Sequence, residues 1–276
     1  MIKKLLKDKL AIVSLSIIFL VIILGIFAPF VAINDPLEPN LTNKFASYSL
    51  EYPLGTDHLG RCVFSRLIYG IHPTIFLAFL TMFITIFLGV IFGLIAGYFE
   101  KIENFILRVC DIMLSFPNEL LIIAIVGILG VGIENIIIAT IIAKFAWYTR
   151  MTYSFVLEYK NKNYVLFSKT IGIPSNKILR KHLLPSISSD IVVLATIDTG
   201  WVILSISALS FLGLGIQAPT PEWGMMLNEA KNMLSIEPSL MFPAGLSILI
   251  VVASFNFLGD SLRDAFDTKH NKRFDK

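Results

Sequence analysis

The sequence predicts an all-α fold, a polytopic membrane bundle of about six transmembrane helices, from its composition, its long uncharged stretches and the distribution of its positive charges. Hydrophobic residues make up 55% of the 276 residues and charged residues 16%, whereas soluble domains carry roughly 25% charged residues. This composition excludes a soluble globular enzyme and a disordered chain. Because each span needs about 20 residues, the length fits one bundle of six spans with modest loops.

Charge and cysteine content exclude two further classes of protein. The formal net charge is only +3, and the basic residues are spread over several short segments, unlike those of a nucleic-acid-binding surface. Cys62 and Cys110 are separated by long hydrophobic stretches, so neither a disulfide framework nor a cysteine-rich metal site is expected. We therefore predict no nucleic-acid partner for this chain.

The first predicted span is the uncharged stretch from Leu10 to Asn34. At 1.5 Å per residue, a helix of this length crosses a hydrocarbon core about 30 Å thick. Lysines precede the stretch, so a secretory signal peptide is the alternative interpretation. The stretch exceeds the usual apolar core of a signal peptide and lacks a convincing cleavage site, which favours a retained anchor.

Five further spans follow, and the glycines and charges inside them indicate which faces are buried. They are predicted at residues 71–99, about 105–129, 135–155, 191 to about 214, and 240–259. Gly89, Gly93 and Gly97 lie four residues apart on one face of the second span, a spacing that lets another helix approach closely. A charge at a helix centre costs about 2.5 to 3.5 kcal/mol, so charged residues within spans are expected in the bundle interior, in a cavity or at helix ends. They are Arg108, Asp111 and Glu119 in the third span, Lys144 and Arg150 in the fourth, and Asp198 in the fifth.

The positive residues predict the orientation of the bundle. Of the 23 lysines and arginines, eighteen fall in the terminal segments and alternate loops of one side, and four fall on the other. Positive loops are retained in the cytoplasm, so we predict a multi-pass protein of the cell (plasma or inner) membrane with both termini cytoplasmic. Residues 35–70 and 216–239 are then external, and the polar loop 157–189 is internal.

The internal loop is predicted to form two short helices joined by a turn. Gly172 is placed to end the first helix, as a residue that tolerates the left-handed conformation, and Pro174 with Ser175 can begin the second. The second helix carries an apolar ridge that suits contact with a partner, beside a basic face. The ridge is Ile178, Leu179, Leu183 and Leu184, and the basic face is Lys177, Arg180, Lys181 and His182. An ordinary cytoplasmic loop held at lipid headgroups is the alternative.

Four motifs in one order resemble the permeases of ABC importers. Within residues 163–185, Gly172 and Pro185 match the glycine and the terminal proline of that family's coupling loop, the EAA loop, while Phe167 and Ser168 replace two alanines. Three other segments are similar to signatures of the dipeptide, oligopeptide and nickel branch. They are residues 54–70, where Cys62 replaces the usual Asp, residues 209–224, and residues 257–264.

This resemblance implies a type I ABC importer permease, a non-catalytic transmembrane subunit. The implied partners are a homologous second permease subunit, two ABC ATPase subunits, an extracellular solute-binding protein and the lipid bilayer. No cofactor is expected in this chain, which lacks a G-x-x-x-x-G-K-[ST] phosphate loop, and ATP and Mg²⁺ would bind the ATPases. The residues implied in coupling to the ATPases are Phe167, Ser168, Lys169, Gly172, Ile173, Pro174, Ile178 and Pro185.

Two segments resemble nickel permeases in particular. Residues 145–151 are similar to an aromatic-rich stretch of those proteins, and residues 194–198 to their Leu-Ala-Thr-Leu-Asp. The resemblance thus implies import of nickel or a nickel-like metal chelate, with dipeptide or oligopeptide import as the alternative in the same family. A stand-alone ion-coupled transporter or channel, in which Asp198 and Lys144 form a relay, is the alternative from another class.

The candidate pathway residues combine an intramembrane acid with aromatic and thioether side chains. They are Asp198, Trp147, Tyr148, Met225 and Met226, and the weak candidates for metal contact are Asp198, His58 and His72, which form no cluster with metal-site spacing. Each has a structural alternative. The acid can pair with Lys144 or Arg150, the aromatic residues can anchor the helix at the interface, the methionines can pack, and Asp57 with His58 can fix a turn.

The predicted organisation has three parts. Residues 1–70 form an N-terminal anchor helix and external loop, residues 71–267 a core permease domain with the coupling loop 157–189, and residues 268–276 a cytoplasmic tail.

Overall fold

The computed structural model describes residues 2–266 and is built from helices. The main helices are α1 (Lys9–Ile26), α2 (Val63–Tyr98), α3 (Glu100–Leu114), α4 (Asn118–Leu129), α5 (Ile133–Lys160), α6 (Asn163–Thr170), α7 (Ser175–Phe211), α8 (Trp223–Lys231) and α9 (Met241–Phe266). Within residues 2–266, β structure is limited to an isolated antiparallel bridge between Thr56 and Cys62. The predicted all-α bundle is confirmed.

The first span begins at a capped helix end and is shorter than predicted. The Asp8 carboxylate accepts a hydrogen bond from the Leu10 N–H at 2.9 Å and another from the Ser261 hydroxyl of α9 at 2.6 Å. The helix ends at Ile26 instead of Asn34, because the chain leaves the helical conformation there before a separate short helix, Ala28–Val31. Helix α1 packs along α9, so it joins the bundle directly.

Helices α2 and α5 pack closely against each other, as the glycine spacing predicts. A Cβ atom added at Gly89, Gly93 or Gly97 would overlap the side chains of Tyr148, Thr152 and Val156, respectively. Helix α2 is 36 residues long and includes a single π-helical turn, His72–Phe76, near its outer end. The small side of α2 therefore fixes the position of α5.

The third predicted span, about residues 105–129, is not a single helix but a pair of helices joined at a bend. Helices α3 and α4 meet at an angle of 86°. Pro117 lies at the bend, and a proline disfavours the helical conformation of the residue before it. The Ser115 hydroxyl donates a 2.6 Å hydrogen bond to the Ile112 carbonyl, which satisfies one of the free carbonyls at the end of α3.

Four helices of the described chain are long and apolar enough to cross a membrane, and the bent pair α3–α4 makes a fifth candidate. The four are α1, α2, α7 and α9 with its preceding turn. Helix α5 has 28 residues and is about 42 Å long, but it carries Glu134, Lys144, Arg150 and Glu158, which lower its mean hydropathy. The predicted number of six crossings requires both α5 and the bent pair.

The internal loop is much shorter than predicted, because both neighbouring helices continue into it. Helix α5 runs to Lys160, and α7 begins at Ser175 and continues through a π-helical turn, Leu179–Leu183, to Phe211. The connection is thus reduced to residues 161–174, which include α6. The predicted tail, residues 268–276, lies outside the described residues.

Candidate functional site

The turn after α6 has the geometry that the sequence predicts. Gly172 has φ +78°, and its N–H donates to the Lys169 carbonyl at 3.0 Å. The Ile173 N–H donates to the Ser168 carbonyl, also at 3.0 Å, so the two bonds close the helix end. Space is open around the Gly172 Cα, so backbone conformation, not crowding, requires glycine here. Pro174 precedes the first turn of α7, as predicted.

The hairpin formed by α6, the turn at Gly172 and the first turns of α7 has an apolar ridge that is largely internal. Ile178 and Leu183 are fully buried in a small core with Val156, Val165 and Ile187. These side chains attach the hairpin to the inner ends of α5 and α7. Ile178 cannot touch a partner in this state.

Ser168, another residue of the predicted coupling set, is also buried. Its hydroxyl donates to the Tyr164 carbonyl at 2.8 Å and lies 3.4 Å from Nε2 of His182. Lys169 extends over the ring of Tyr98, with Nζ 4.8 Å from the ring centroid. The contacts of Ser168 stabilise the hairpin itself, and the contact of Lys169 attaches the hairpin to the end of α2.

The surface that the hairpin exposes is the end of α6 with the following turn. Phe167 and Ile171 are 65% and 57% exposed, and Leu166 is exposed beside them. Gly172 and Pro174 are exposed at the same turn, Ile173 is half-buried, and Pro185 is exposed in α7. Leu166 and Ile171 are absent from the predicted coupling set, although their apolar character at the end of a short polar-flanked helix was readable.

Asp198 is paired in the middle of the bundle, as one of the two alternatives for this residue predicts. Its Oδ1 lies 2.5 Å from Nζ of Lys144, and its Oδ2 accepts a 3.1 Å hydrogen bond from the Tyr148 hydroxyl. The carboxylate and the ammonium side chains are each 13% exposed. The pair links α5 to α7 and neutralises both charges at membrane depth.

The aromatic candidates beside this pair lie farther from the end of α5 than the predicted span 135–155 implies. Helix α5 continues to Lys160, so Trp147 and Tyr148 lie near its middle. Tyr148 is buried, and Trp147 is half-buried with its ring 5.0 Å from the Tyr148 ring. Tyr148 contacts Asp198 and Trp147 contacts Tyr148, so both stay candidates for contact with a translocated molecule.

On the side of the Lys144–Asp198 pair that faces the hairpin, α5 and α7 line a cavity of about 590 Å³. The cavity is lined by Met151, Phe155, Glu158 and Tyr159 of α5, Ser189, Asp190, Val193, Leu194 and Ile197 of α7, and Arg263 and Phe266 of α9. Met151 lies about one turn inward of Tyr148, and Leu194 about one turn inward of Asp198. We call this space the inner cavity. Its charged residues could not be selected from the sequence, because they come from three separate helices.

The end of the bundle opposite the hairpin contains a buried four-residue charge cluster. Nε of Arg61 lies 2.7 Å from Oδ2 of Asp57, and Glu229 of α8 accepts from Arg61 at 3.0 Å and from Arg66 at 2.7 Å. Both arginine side chains are only 1% exposed. The Asp57 carboxylate also accepts from the Leu59 and Arg61 N–H groups, so the predicted turn is confirmed. Two guanidinium groups thus balance two carboxylates and attach both the loop after α1, through Arg61, and the start of α2, through Arg66, to α8.

A second buried carboxylate, Glu222, caps the start of α8. It accepts hydrogen bonds from the N–H groups of Gly224 at 2.9 Å and Met225 at 2.8 Å, and Thr74 of α2 donates to it at 3.2 Å. Burial raises the pKa of Glu222 above its usual 4.5. The adjacent Trp223 is buried and donates from Nε1 to the Leu67 carbonyl at 2.9 Å. This cap could have been identified from the sequence, because Glu222 is an acid at the N-cap position immediately before a short helix.

The remaining candidates are dispersed. Met225 and Met226 are buried in α8, as their packing alternative predicts. His58 lies beside Arg66 and Glu229, and His72 is exposed and stacked on Phe76 with ring centroids 5.3 Å apart. In the part of the chain that the structure describes, no three His, Cys, Asp or Glu side chains are grouped so that they could hold a metal ion.

Comparison with known proteins gives two family matches. Residues 86–272 match the model of the binding-protein-dependent transport system inner membrane component. Residues 1–50 match the N-terminal transmembrane domain of oligopeptide transport permease C.

Several curated proteins are similar over nearly their whole length. The chain is 46% identical to the metal-staphylopine import system permease protein CntC of Staphylococcus aureus, over 97% of this chain and 93% of that protein. It is 41% identical to the dipeptide transport system permease protein DppC of Alkalihalophilus pseudofirmus, over 97% and 88%. It is 35% identical to the nickel transport system permease protein NikC of Escherichia coli, over 92% of each chain.

Proposed function

The chain belongs to the family of binding-protein-dependent transport system inner membrane components, the permeases of ABC importers, and from this premise we propose that it imports a metal chelate. It is a multi-pass membrane protein of the nickel and peptide branch. The observation that carries the proposed mechanism is the exposed apolar end of α6 at Gly172, held on a rigid hairpin at the inner end of the bundle.

In the proposed mechanism, the exposed end of α6 is the contact for an ATPase subunit. Phe167 and Ile171 present apolar surface on the side of the chain that is rich in lysine and arginine, where an ATPase groove can cover them. The buried core around Ile178 and Leu183 makes the hairpin move as one body with α5 and α7. A push on α6 is therefore passed to the helices, not absorbed by the loop.

Helix α7 transmits this movement to the centre of the membrane. It is continuous from Ser175, next to the turn, to Phe211 at the other end of the bundle, and it carries Asp198. Closure of two ATPase subunits on ATP would rotate α5 and α7 against each other, which alternately opens the outer side and the inner cavity. Such a change is a two-state switch biased by a ligand at a distant site.

The proposed assembly consists of this permease, a homologous second permease, two ATPase subunits and an extracellular solute-binding protein. This chain performs no catalysis, and ATP with Mg²⁺ is bound and hydrolysed by the ATPases. Both termini are cytoplasmic, since eighteen of its 23 lysines and arginines then lie on the inner side.

A metal chelate is the proposed cargo because relatives named for metal-staphylopine and nickel import are 46% and 35% identical to this chain. A chelated metal keeps its own ligands, so a pathway needs only weak contacts that the cargo can leave. The half-buried Trp147 and the neutral Lys144–Asp198 pair are of that kind. A dipeptide is the second candidate, because the permease named for dipeptide transport is 41% identical.

The cargo is tested with the solute-binding protein that serves this permease. Binding of nickel ion, of a nickel–histidine complex and of a dipeptide is measured by calorimetry, and uptake of each is then measured in liposomes that contain the assembled importer. Saturable, ATP-dependent uptake of the nickel complex supports the proposal. Uptake of the dipeptide alone would replace the cargo and leave the importer role intact, whereas uptake by this chain without ATPases would overturn the role.

A further inference from the structure

The exposed surface of α3 is divided into two parallel stripes. The apolar stripe is Ile102, Phe105, Val109 and Ile112, and the polar stripe, one residue earlier at each step, is Lys101, Asn104, Arg108 and Asp111. Phe105 is 72% exposed and Ile112 is 66% exposed. The third side of α3, which includes the fully buried Cys110, packs on α2 and α5.

This surface would be unfavourable in hydrocarbon alone and in water alone, because each environment would be wrong for one of the two stripes. A helix crossing the membrane would expose the polar stripe to hydrocarbon, which is unfavourable for Lys101 and Arg108. A helix in water would expose four large apolar side chains in one contiguous row. An interface between hydrocarbon and water satisfies both stripes at once.

The depth of α3 agrees with such an interface. The Gly132 N–H, just before α5, donates to the Leu214 carbonyl at 3.2 Å, so the outer ends of α5 and α7 lie at one level. Helix α3 contacts α5 at Arg150, which is ion-paired with Asp111, and at Tyr153, whose hydroxyl donates to Glu103 at 2.6 Å. At 1.5 Å per residue, these two α5 residues lie about 25 Å and about 30 Å below that outer level. A hydrocarbon core about 30 Å thick ends at this depth.

We propose that α3 lies in the plane of the inner membrane–water interface and binds the boundary between the acyl chains and the headgroups of the inner leaflet with its apolar stripe. The 86° angle to α4 then turns the chain out of this plane and into the membrane. The apolar stripe continues into the exposed Phe116, Leu120 and Ile123, which lie at and beyond the bend, so α3 and α4 form one lipid-facing surface. The inference concerns the membrane and does not depend on the cargo.

This placement has a consequence for α5. Glu103 and Asp111 connect α3, which lies at the level of the headgroups, to the inner part of α5 through a hydrogen bond and an ion pair. The neighbouring charges Glu100, Lys101 and Arg108 give α3 no strong excess of one sign, so binding does not require anionic lipid. The lipid surface thus supports the helix that leads into the coupling hairpin.

The test compares neighbouring residues of the two stripes in the assembled importer in liposomes. Asn104→Cys, Phe105→Cys, Arg108→Cys and Val109→Cys are each labelled with bimane, and the buried Cys62 and Cys110 provide the unlabelled background. Brominated lipid is expected to quench the labels at 105 and 109 several-fold more than those at 104 and 108. Aqueous iodide is expected to give the reverse order.

Three results would overturn the proposal. Equal iodide quenching at all four positions would place α3 in water or along an aqueous pathway, and equal bromolipid quenching would place it across the membrane. Protection of positions 105 and 109 from both quenchers would show that another subunit covers the apolar stripe. The two neighbouring pairs report independently, and gel filtration of each labelled complex verifies that the assembly is intact.

Discussion

Nζ of Lys144 on α5 lies 2.5 Å from Oδ1 of Asp198 on α7, at the depth where these two helices begin to separate around the inner cavity. The ion pair therefore joins α5 and α7 at the point where the cavity between them ends. Both helices lead from this point to the coupling hairpin. When the helices rotate, the Asp198 carboxylate and the Lys144 ammonium can each stay paired by taking a new partner. An acid or a lysine without any partner would be unfavourable at this depth.

Neutralising one member of this pair should destabilise the protein more than neutralising both. Asp198→Asn leaves the Lys144 ammonium buried without a counter-charge, which costs on the order of 3 kcal/mol, whereas Lys144→Met with Asp198→Asn removes both charges. Thermal unfolding in detergent measures the difference. Arg150→Gln is the matched control, because its pair with Asp111 is about half-exposed and contributes roughly 1 kcal/mol or less. Equal unfolding temperatures for the single and double variants would contradict a buried pair.

Gly172→Pro should abolish ATP-driven uptake and leave membrane insertion intact. Proline cannot adopt φ +78° and has no N–H to donate to the Lys169 carbonyl, so the turn between α6 and α7 must change. Uptake in liposomes and the amount of protein in the membrane fraction are measured together. Gly127→Ala is the control, since Gly127 lies within α4 with open space around it. Normal uptake by the Gly172→Pro variant would refute the coupling role of the turn.

Phe167 and Ile178 should respond differently to truncation, although the sequence predicts both as coupling residues. Phe167→Ala removes exposed surface, so it is expected to weaken retention of the ATPase by the purified permease with little change in unfolding temperature. Ile178→Ala opens a cavity in the small core of the hairpin and should cost about 2 to 5 kcal/mol of stability. Retention of the ATPase on an affinity column and thermal unfolding separate the two effects. A loss of stability in the Phe167 variant without a loss of binding would reverse the assignment.

The sequence predicts local geometry better than contacts between distant helices. Gly172 and the three glycines of α2 could be identified because a left-handed turn and a close helix contact each require a particular residue type. The burial of the ridge at Ile178 could not be predicted, because helical periodicity identifies an apolar face but not the neighbouring element that covers it. The sequence cannot decide whether Asp198 faces a pathway or pairs with a basic residue, since its pairing depends on the register of α5 against α7. Pro117 indicates a bend, but the apolar character of residues 105–129 favours a single span.

The external charge cluster should depend on Glu229. Its carboxylate bonds both Arg61 and Arg66, which are separated from it by more than 160 positions in the chain, so the cluster joins the loop after α1 to α8. Glu229→Gln leaves two buried guanidinium groups with Asp57 as their remaining carboxylate and should cost on the order of 3 kcal/mol. Limited proteolysis of the external loop and thermal unfolding measure the effect. Lys231→Ala, at an exposed position of the same helix, removes only a surface contact of its ammonium with the Phe211 ring and should cost about 1 kcal/mol or less. A loss similar to that of Glu229→Gln would point to α8 itself instead of the cluster.

Glu222 should make the stability of the protein fall as the pH rises above the ordinary pKa of glutamate. Burial raises the pKa of Glu222 in the folded protein, so between its usual 4.5 and the raised value the folded state binds more protons than the unfolded state. The free energy of unfolding then decreases through this interval and becomes level above the raised pKa. Glu222→Gln, a permanently uncharged analogue, should remove this part of the pH dependence, although it loses one acceptor for the N–H groups at the start of α8. Thermal unfolding of both proteins from pH 4 to pH 9 measures the difference, and parallel profiles would show that the carboxyl group titrates as it does in the unfolded chain.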